Sequence, residues 1–234
     1  MVVIFTCGSV TVPAQQKETA QAVSATEKRT LDKHTKPILD ALKLDNGEQE
    51  AKVREIMAAQ FAALNAWHAQ NDAQIKSLWS EFDKARSKQD ETNANGTLAK
   101  IDGVYGSFKP QHEKFLRELS AVLTPEQVET VKDALTINKV KITFNAYGEI
   151  FHGLTEEQKA FILKNLKAAR EEAIDAGPMT EKSAFFKKYK IKIEAYLTAQ
   201  GYDVKQSYKE FVAKQKAGEA ANKAAATPET EEKK

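Results

Sequence analysis

Midway along its longest helical stretch the chain reads Asn65-Ala66-Trp67-His68-Ala69-Gln70-Asn71-Asp72, and these are the side chains best placed to do chemistry. Steps of seven from Phe61 meet His68, Ile75 and Phe82; steps of seven from Met57 meet Leu64, Asn71 and Leu78. Both seams are apolar except at His68 and Asn71, which are neighbours on one helix face. A polar pair inside an apolar stripe must find hydrogen bonds or border a cleft, because an unsatisfied buried polar group costs about 1–3 kcal/mol. Asp72, four residues after His68, is spaced to orient the imidazole or to share a ligand with it, and Trp67 offers an aromatic face. Three readings stand open. The first is a satisfied internal network that sets the register of the helix. In the second, a ligand cleft, Trp67 stacks on a sugar ring while His68, Asn71 and Asp72 hydrogen-bond its hydroxyls. The third is a metal held by His68 and Asp72, for which no further ligands stand at legible spacing.

Other candidates are weaker in chemistry. Tyr147 and His152 could join a ligand site from another helix, although a histidine just before Leu154 equally suits a helix end, where it complements the dipole. His112 follows Pro110 among charges and reads as solvated, and His34 reads the same way. The pairs Glu171/Asp175 and Glu126/Glu129 have helical spacing and read as wet faces rather than acid–base dyads. In Phe185–Lys192 lysines interleave with aromatics, but Phe186, Tyr189, Ile193 and Leu197 share one helical face, so this is a core helix with a basic outside. The chain has no glycine-rich phosphate loop, HExxH, GxSxG or CxxC motif, so neither an enzyme class nor a cofactor or metal site is expected.

The elements that must hold these residues are helices. Between residues 45 and 86 the apolar stripe runs Val53, Met57, Phe61, Leu64, Ile75, Leu78, Phe82, in steps that suit a helix. A helix of that length is a rod of about 60 Å, and a bend or break in it is plausible. Ser87–Thr97 is polar, contains Asn95-Gly96 and predicts a loop. A second helix carries Leu98, Ile101, Tyr105 and Phe108, breaks near Pro110 and resumes through Phe115, Leu116 and Leu119. Further helices are predicted at about 125–135, 139–151, 156–176, 181–200 and 205–216. Thr124-Pro125-Glu126-Gln127 and Thr155-Glu156-Glu157-Gln158 are capping boxes, the first with Pro at its favoured place and with Leu123 placed to staple onto Val128. Leu44-Asp45-Asn46-Gly47-Glu48 is an acidic variant, and Gly177-Pro178 reads as a helix stop. The predicted class is all-α, a multi-helix bundle with one long N-terminal helix.

Composition bounds the function. Of 234 residues, 35 are Lys or Arg and 33 are Asp or Glu, a net charge of +2 that leaves no electrostatic footprint for nucleic acid. One cysteine excludes a disulfide framework and a cysteine-built zinc site. No run reaches the roughly 18 apolar residues of a membrane span. Residues 1–14 lack charge and end in Val12-Pro13-Ala14, a small-residue pattern suited to signal peptidase; without a positive n-region they read as an export signal lacking its first residues. Cleavage after Ala14 would remove Cys7. Residues 217–234 hold no large apolar side chain and predict a mobile tail. The helical domain is therefore expected at 28–216.

Several segments in order also carry a family likeness: Leu44–Ile56, Ala63–Asp72, Leu123–Asp133, Leu154–Lys159, Ala169–Gly177, Phe186–Tyr189 and Tyr196–Asp203. Over about residues 28–205 the chain resembles a family of exported bacterial proteins, a domain of unknown function that carries a sugar-binding label and occurs in polysaccharide-degrading bacteria. The resemblance implies periplasmic or secreted location, an all-helical body and carbohydrate binding, and it brings no site residues of its own. The two Leu-Thr-x-x-Gln starts also look like those of small periplasmic stress chaperones, helical dimers that form a cradle. The expectation is an exported, non-enzymatic protein that binds an oligosaccharide or polysaccharide through Trp67, His68, Asn71, Asp72, Tyr147 and His152. The alternative is a chaperone-like or helical protein-interaction module.

Overall fold

The computed structural model describes residues 32–225, and among them the chain is helical with no strand. Residues 1–14, expected to be an export signal, lie outside the described residues. Helix α1 covers residues 32–42. It is followed by α2 (Gly47–Ser87), α3 (Glu91–Gly106), α4 (Lys109–Ser120), α5 (Pro125–Leu135), α6 (Lys139–Ile150), α7 (Glu156–Ala173), α8 (Met179–Ala199) and α9 (Val204–Ala225). None of these helices is long and apolar enough to cross a membrane.

The 41 residues of α2 form one unbroken helix, without the break its length made plausible. It starts at Asn46, whose side chain accepts from the Glu48 and Gln49 amides, one residue later than the Asp45 start suggested by the acidic pattern. Both capping boxes form, at Thr124/Gln127 and Thr155/Gln158. The polar stretch at 87–97 is not a loop. Only Lys88–Asp90 turn the chain, and Asp90 caps α3 by accepting from the Asn93 amide, so Asn95-Gly96 sit inside a helix. Gly96 is tolerated because the helix packs along α2, and tertiary contact outweighs a propensity cost of about 1 kcal/mol. At the other end α9 continues to Ala225, beyond the predicted boundary at 216; alanine, frequent in this stretch, has the highest helix propensity.

The long helix runs past two separate cores. The first half of α2 contributes Val53, Ile56 and Met57 to a cluster with Ile38, Leu39 and Leu42 of α1, Phe115 and Leu119 of α4, and Val128 and Val131 of α5. Leu123 joins it, which places the staple residue beside Val128. The second half contributes Leu78, Phe82 and Ala85 to a larger cluster built from α3, α6, α7 and α8, against which Tyr202, Tyr208 and Phe211 pack. Between the two, the buried residues of α2 include Gln60 and His68. The polar interruption in the apolar stripe is thus the layer where the helix passes from one core to the other.

The α5–α6 turn carries strain. Ile137 and Asn138 both have positive φ, 53° and 52°. Asn tolerates this region, whereas a β-branched residue does not. Ile137 is 61% exposed, so its side chain gains little in return. Ile137→Gly is expected to stabilise the protein by about 0.5–1 kcal/mol, the left-handed penalty less the entropy cost of glycine. A lower urea midpoint in that variant would contradict the account.

Candidate functional site

Four elements meet at the polar layer: α2, the α3–α4 corner, the start of α8 and the α7–α8 loop. Helix α7 ends at Ala173, with Ile174 as C-cap, so Gly177-Pro178 is not its stop. Lys182 of α8 closes that end instead, donating to the carbonyls of Ala173 at 3.0 Å and Ala176 at 2.9 Å. Burial lowers the Lys182 ammonium to about 8, against the pull of Asp175 and Glu181. Gly177 sits in tight space: a Cβ there would lie 3.0 Å from Glu181 Oε2 and 3.2 Å from His68 Cε1, so these side chains would have to give by a few tenths of an ångström.

His68 is buried and both of its ring nitrogens are engaged. Nδ1 lies 2.7 Å from Asp72 Oδ1, and Nε2 donates to the backbone carbonyl of Asp175 at 2.9 Å. Neither nitrogen is left for a metal, and among the described residues no group of three or more His, Cys, Asp and Glu could hold one. Asp175 is gripped from a second side. Its Oδ2 lies 2.7 Å from His112 Nδ1, and its Oδ1 accepts from Gln60 at 3.4 Å, while Gln60 in turn accepts from Gln111. The hydrogen bond with Asp175 raises the His112 pKa above its ordinary value, opposed by burial. Next to this pair, Glu181 accepts from the Tyr105 hydroxyl and from the Gly177 amide. Burial first, and the Glu181 charge second, push the Tyr105 phenol upward, so it stays a donor.

Two of the sequence expectations are corrected here. His112 is not solvated: its side chain is 16% exposed and paired with Asp175. Asp175 does not lie on a wet face but is buried. No local signal could have found either, because the pairing spans 63 residues and depends on how α4 meets the α7–α8 loop. His34 is exposed as expected, tilted against Phe61.

The six candidate ligand residues fall in two places. Trp67 is half-buried at the α3–α4 corner, donating its indole N–H to Ser107 Oγ at 2.9 Å and packing against Tyr105 and Phe108. Asn71 is half-buried and donates to the carbonyl of Trp67 on its own helix at 2.8 Å. Asp72 keeps 40% of its side chain exposed while His68 holds one oxygen. Tyr147 is elsewhere. It is 1% exposed, stacked on Phe151, and shares Glu194 with Tyr208. His152 is exposed at the end of α6, next to a shallow groove of about 270 Å³ lined by Phe144, Gly148, Phe151, Gly153, Leu154 and Lys159. The Tyr147 and His68 groups share no hydrogen-bond partner.

The arrangement therefore offers a buried carboxylate-and-imidazole core with a few polar atoms at its edges. His112 Nε2 has no partner among the described residues, and the second oxygen of Asp72 is engaged only by a distant Lys76 at 3.9 Å. Such atoms can exchange hydrogen bonds with a polar ligand, Asp72 Oδ2 as an acceptor and His112 Nε2 as a donor when its ring is charged. No curated protein matches the chain. A family profile does match, over residues 28–217, and the chain accordingly belongs to the family described as Protein of unknown function (DUF3826).

Proposed function

We propose that this chain is an exported, non-enzymatic protein that binds carbohydrate, an oligosaccharide or a polysaccharide, at the Trp67 edge of the polar layer. One observation carries the reading. Trp67 is partly exposed and fixed through its indole N–H to Ser107, beside Asn71 and Asp72, which also remain partly exposed. A rigid aromatic ring beside hydrogen-bonding groups is the combination that sugars, with apolar ring faces and hydroxyl edges, require. In this arrangement His68 touches no ligand. It is a positioning residue that orients Asp72, leaving Oδ2 for a hydroxyl.

The test uses Trp79→Phe, which leaves Trp67 as the single indole of a chain with two tryptophans. Titration with a panel of plant-wall oligosaccharides is expected to change its emission and give saturable heat in calorimetry. Trp67→Ala should then weaken binding about tenfold or more. Silence across the panel rejects the reading. Periplasmic or secreted location rests on the family resemblance and on the Val12–Ala14 pattern, and fractionation of cells expressing the full chain tests it.

No specific observation favours the chaperone-like alternative. Among the described residues the exposed large apolar ones are Ile137, Ile142, Leu163, Met179 and Val212, spread over five successive segments from the α5–α6 turn to α9. An apolar cradle needs a contiguous patch.

A further inference from the structure

Building on the carbohydrate reading above, and resting on it, we infer that the Trp67 edge selects sugars with a free amine, an amino-sugar oligosaccharide, over neutral sugars and over uronic acids.

The first support is the hydrogen-bond inventory of that edge. Its donors are nearly all spent inside the protein. The Trp67 indole N–H goes to Ser107 Oγ, and the Ser107 hydroxyl donates onward to the Val104 carbonyl at 2.7 Å. The Tyr105 hydroxyl donates to Glu181, and one amide N–H of Asn71 donates to the Trp67 carbonyl. What remains for a ligand is Asp72 Oδ2 and Asn71 Oδ1, both acceptors, and the second N–H of the Asn71 amide. An ammonium group brings three donors and no acceptor, which suits this set. A uronate carboxylate brings only acceptors and would face Asp72, and a hydroxyl falls between the two.

Charge is the second support. Asp72 keeps 40% of its side chain exposed, so its carboxylate is an accessible charge near the packed rings of Trp67 and Tyr105. The field at that corner is negative: after burial, the charges that push the Tyr105 phenol upward are those of Glu181, Asp175 and Asp72. The neighbouring cations are engaged or weakly held. Lys182 donates to the carbonyls of Ala173 and Ala176. His112 is bonded to Asp175, and its other charged neighbours are Glu171 of α7 and Lys132 of α5. Lys76 stands 3.9 Å from Asp72 Oδ2 with 73% of its side chain exposed, and so open a pair is worth too little to block an incoming ammonium.

The third support is the ring itself. Tryptophan has the aromatic face that attracts cations best, and this one is held by Ser107 and by packing on Tyr105 and Phe108. An amine on a sugar stacked there is attracted by both the ring face and the Asp72 carboxylate. A uronate is repelled by both.

Calorimetry on the full chain at about pH 5.5, where sugar amines are charged, tests the selection with oligosaccharides of equal length built from glucosamine, N-acetylglucosamine, glucose or galacturonate. The glucosamine oligomer is expected to bind about tenfold tighter than the two neutral ones, and the galacturonate oligomer weakest. Asp72→Asn keeps an acceptor for His68 but removes the charge, and should bring glucosamine to within about twofold of the neutral oligomers. Equal wild-type affinity for charged and neutral sugars, or a preference for galacturonate, overturns the amine selection and leaves carbohydrate binding standing; neither result needs a variant to fold. Silence from all of the oligomers rejects the carbohydrate reading and this selection together. Glucosamine binding that survives Trp67→Ala also overturns it, because the amine would then be held by exposed carboxylates elsewhere.

Discussion

Replacing Arg170 with alanine is expected to lower the stability of the fold by about 3 kcal/mol, the lower end of the cost of breaking a buried ion pair. Its guanidinium lies on α7 with 2% of the side chain exposed and donates to Asp133 at 2.6 Å, to Glu129 at 2.7 Å and to Glu171 at 3.0 Å. Burial alone would lower its pKa, yet the hydrogen bonds it donates to Glu129, Asp133 and Glu171 outweigh burial and hold it above the ordinary value. The cost lies at the low end of that range because the partners of Arg170 can find water. The three carboxylates are each more than a third exposed, so they rehydrate once the cation is gone, and Lys132 and Lys167 stay near Glu129. What cannot be recovered are the charge-assisted bonds and the packing of the stem. Arg170→Met should regain about 1 kcal/mol by refilling the stem volume. Urea midpoints at unchanged slope measure both effects. An alanine variant within about 0.5 kcal/mol of wild type would show that α5 and α7 do not depend on this bridge.

Asp175→Ala should produce the second large effect, and its size depends on pH. At about pH 6 the variant loses a charge-assisted bond to His112 and the long bond from the Gln60 side-chain amide N–H, a cost of about 2–3 kcal/mol. Solvent screening is slight, since the two side chains of the pair are 16% and 11% exposed. In the folded state the hydrogen bond with Asp175 raises the His112 pKa above its ordinary value of about 6.5. Its pairing energy is therefore fully present below that value and is lost as pH rises through the raised folded value. Lys182 acts in the same direction: Asp175 attracts its charge, and that attraction fades as the ammonium, lowered to about 8, loses its proton. The deficit of the variant should shrink to about 1 kcal/mol by pH 9, the worth of a bond between His112 in its neutral form and a carboxylate. A gap that stays constant or widens with pH would show that the pair is not charged in the fold. The Asp175 backbone carbonyl survives the substitution, so this experiment separates the His112 contact from the His68 contact.

Most of the element order was legible because it is written in short-range chemistry. The capping boxes at Thr124 and Thr155 need only residues three apart, and the α2 stripe needs only periodic spacing. The sequence reading erred where a local signal met a tertiary contact. Asn95-Gly96 turns the chain in isolation, yet it sits in a helix packed along α2. Gly177 looked like a helix stop, but its lack of a side chain serves the approach of His68 and Glu181. For the candidate site, the polar break at His68 was visible as an exception in the seam, and the i to i+4 partner Asp72 could be read from spacing. Asp175, His112 and Glu181 could not, since each reaches the layer from a distant part of the chain.

By itself, then, the sequence determined that the chain is helical, where most helices begin, and that one helix carries polar residues in a buried stripe. Those features follow from hydrogen bonds and hydrophobic spacing within a few turns, which any packing must respect. The tertiary structure alone decided that α2 serves two cores, that the polar residues fill the layer between them, and that Tyr147 and His152 lie apart from it. Such outcomes depend on which helix faces meet across gaps of many tens of residues, and no periodicity along one helix encodes the partner it will face.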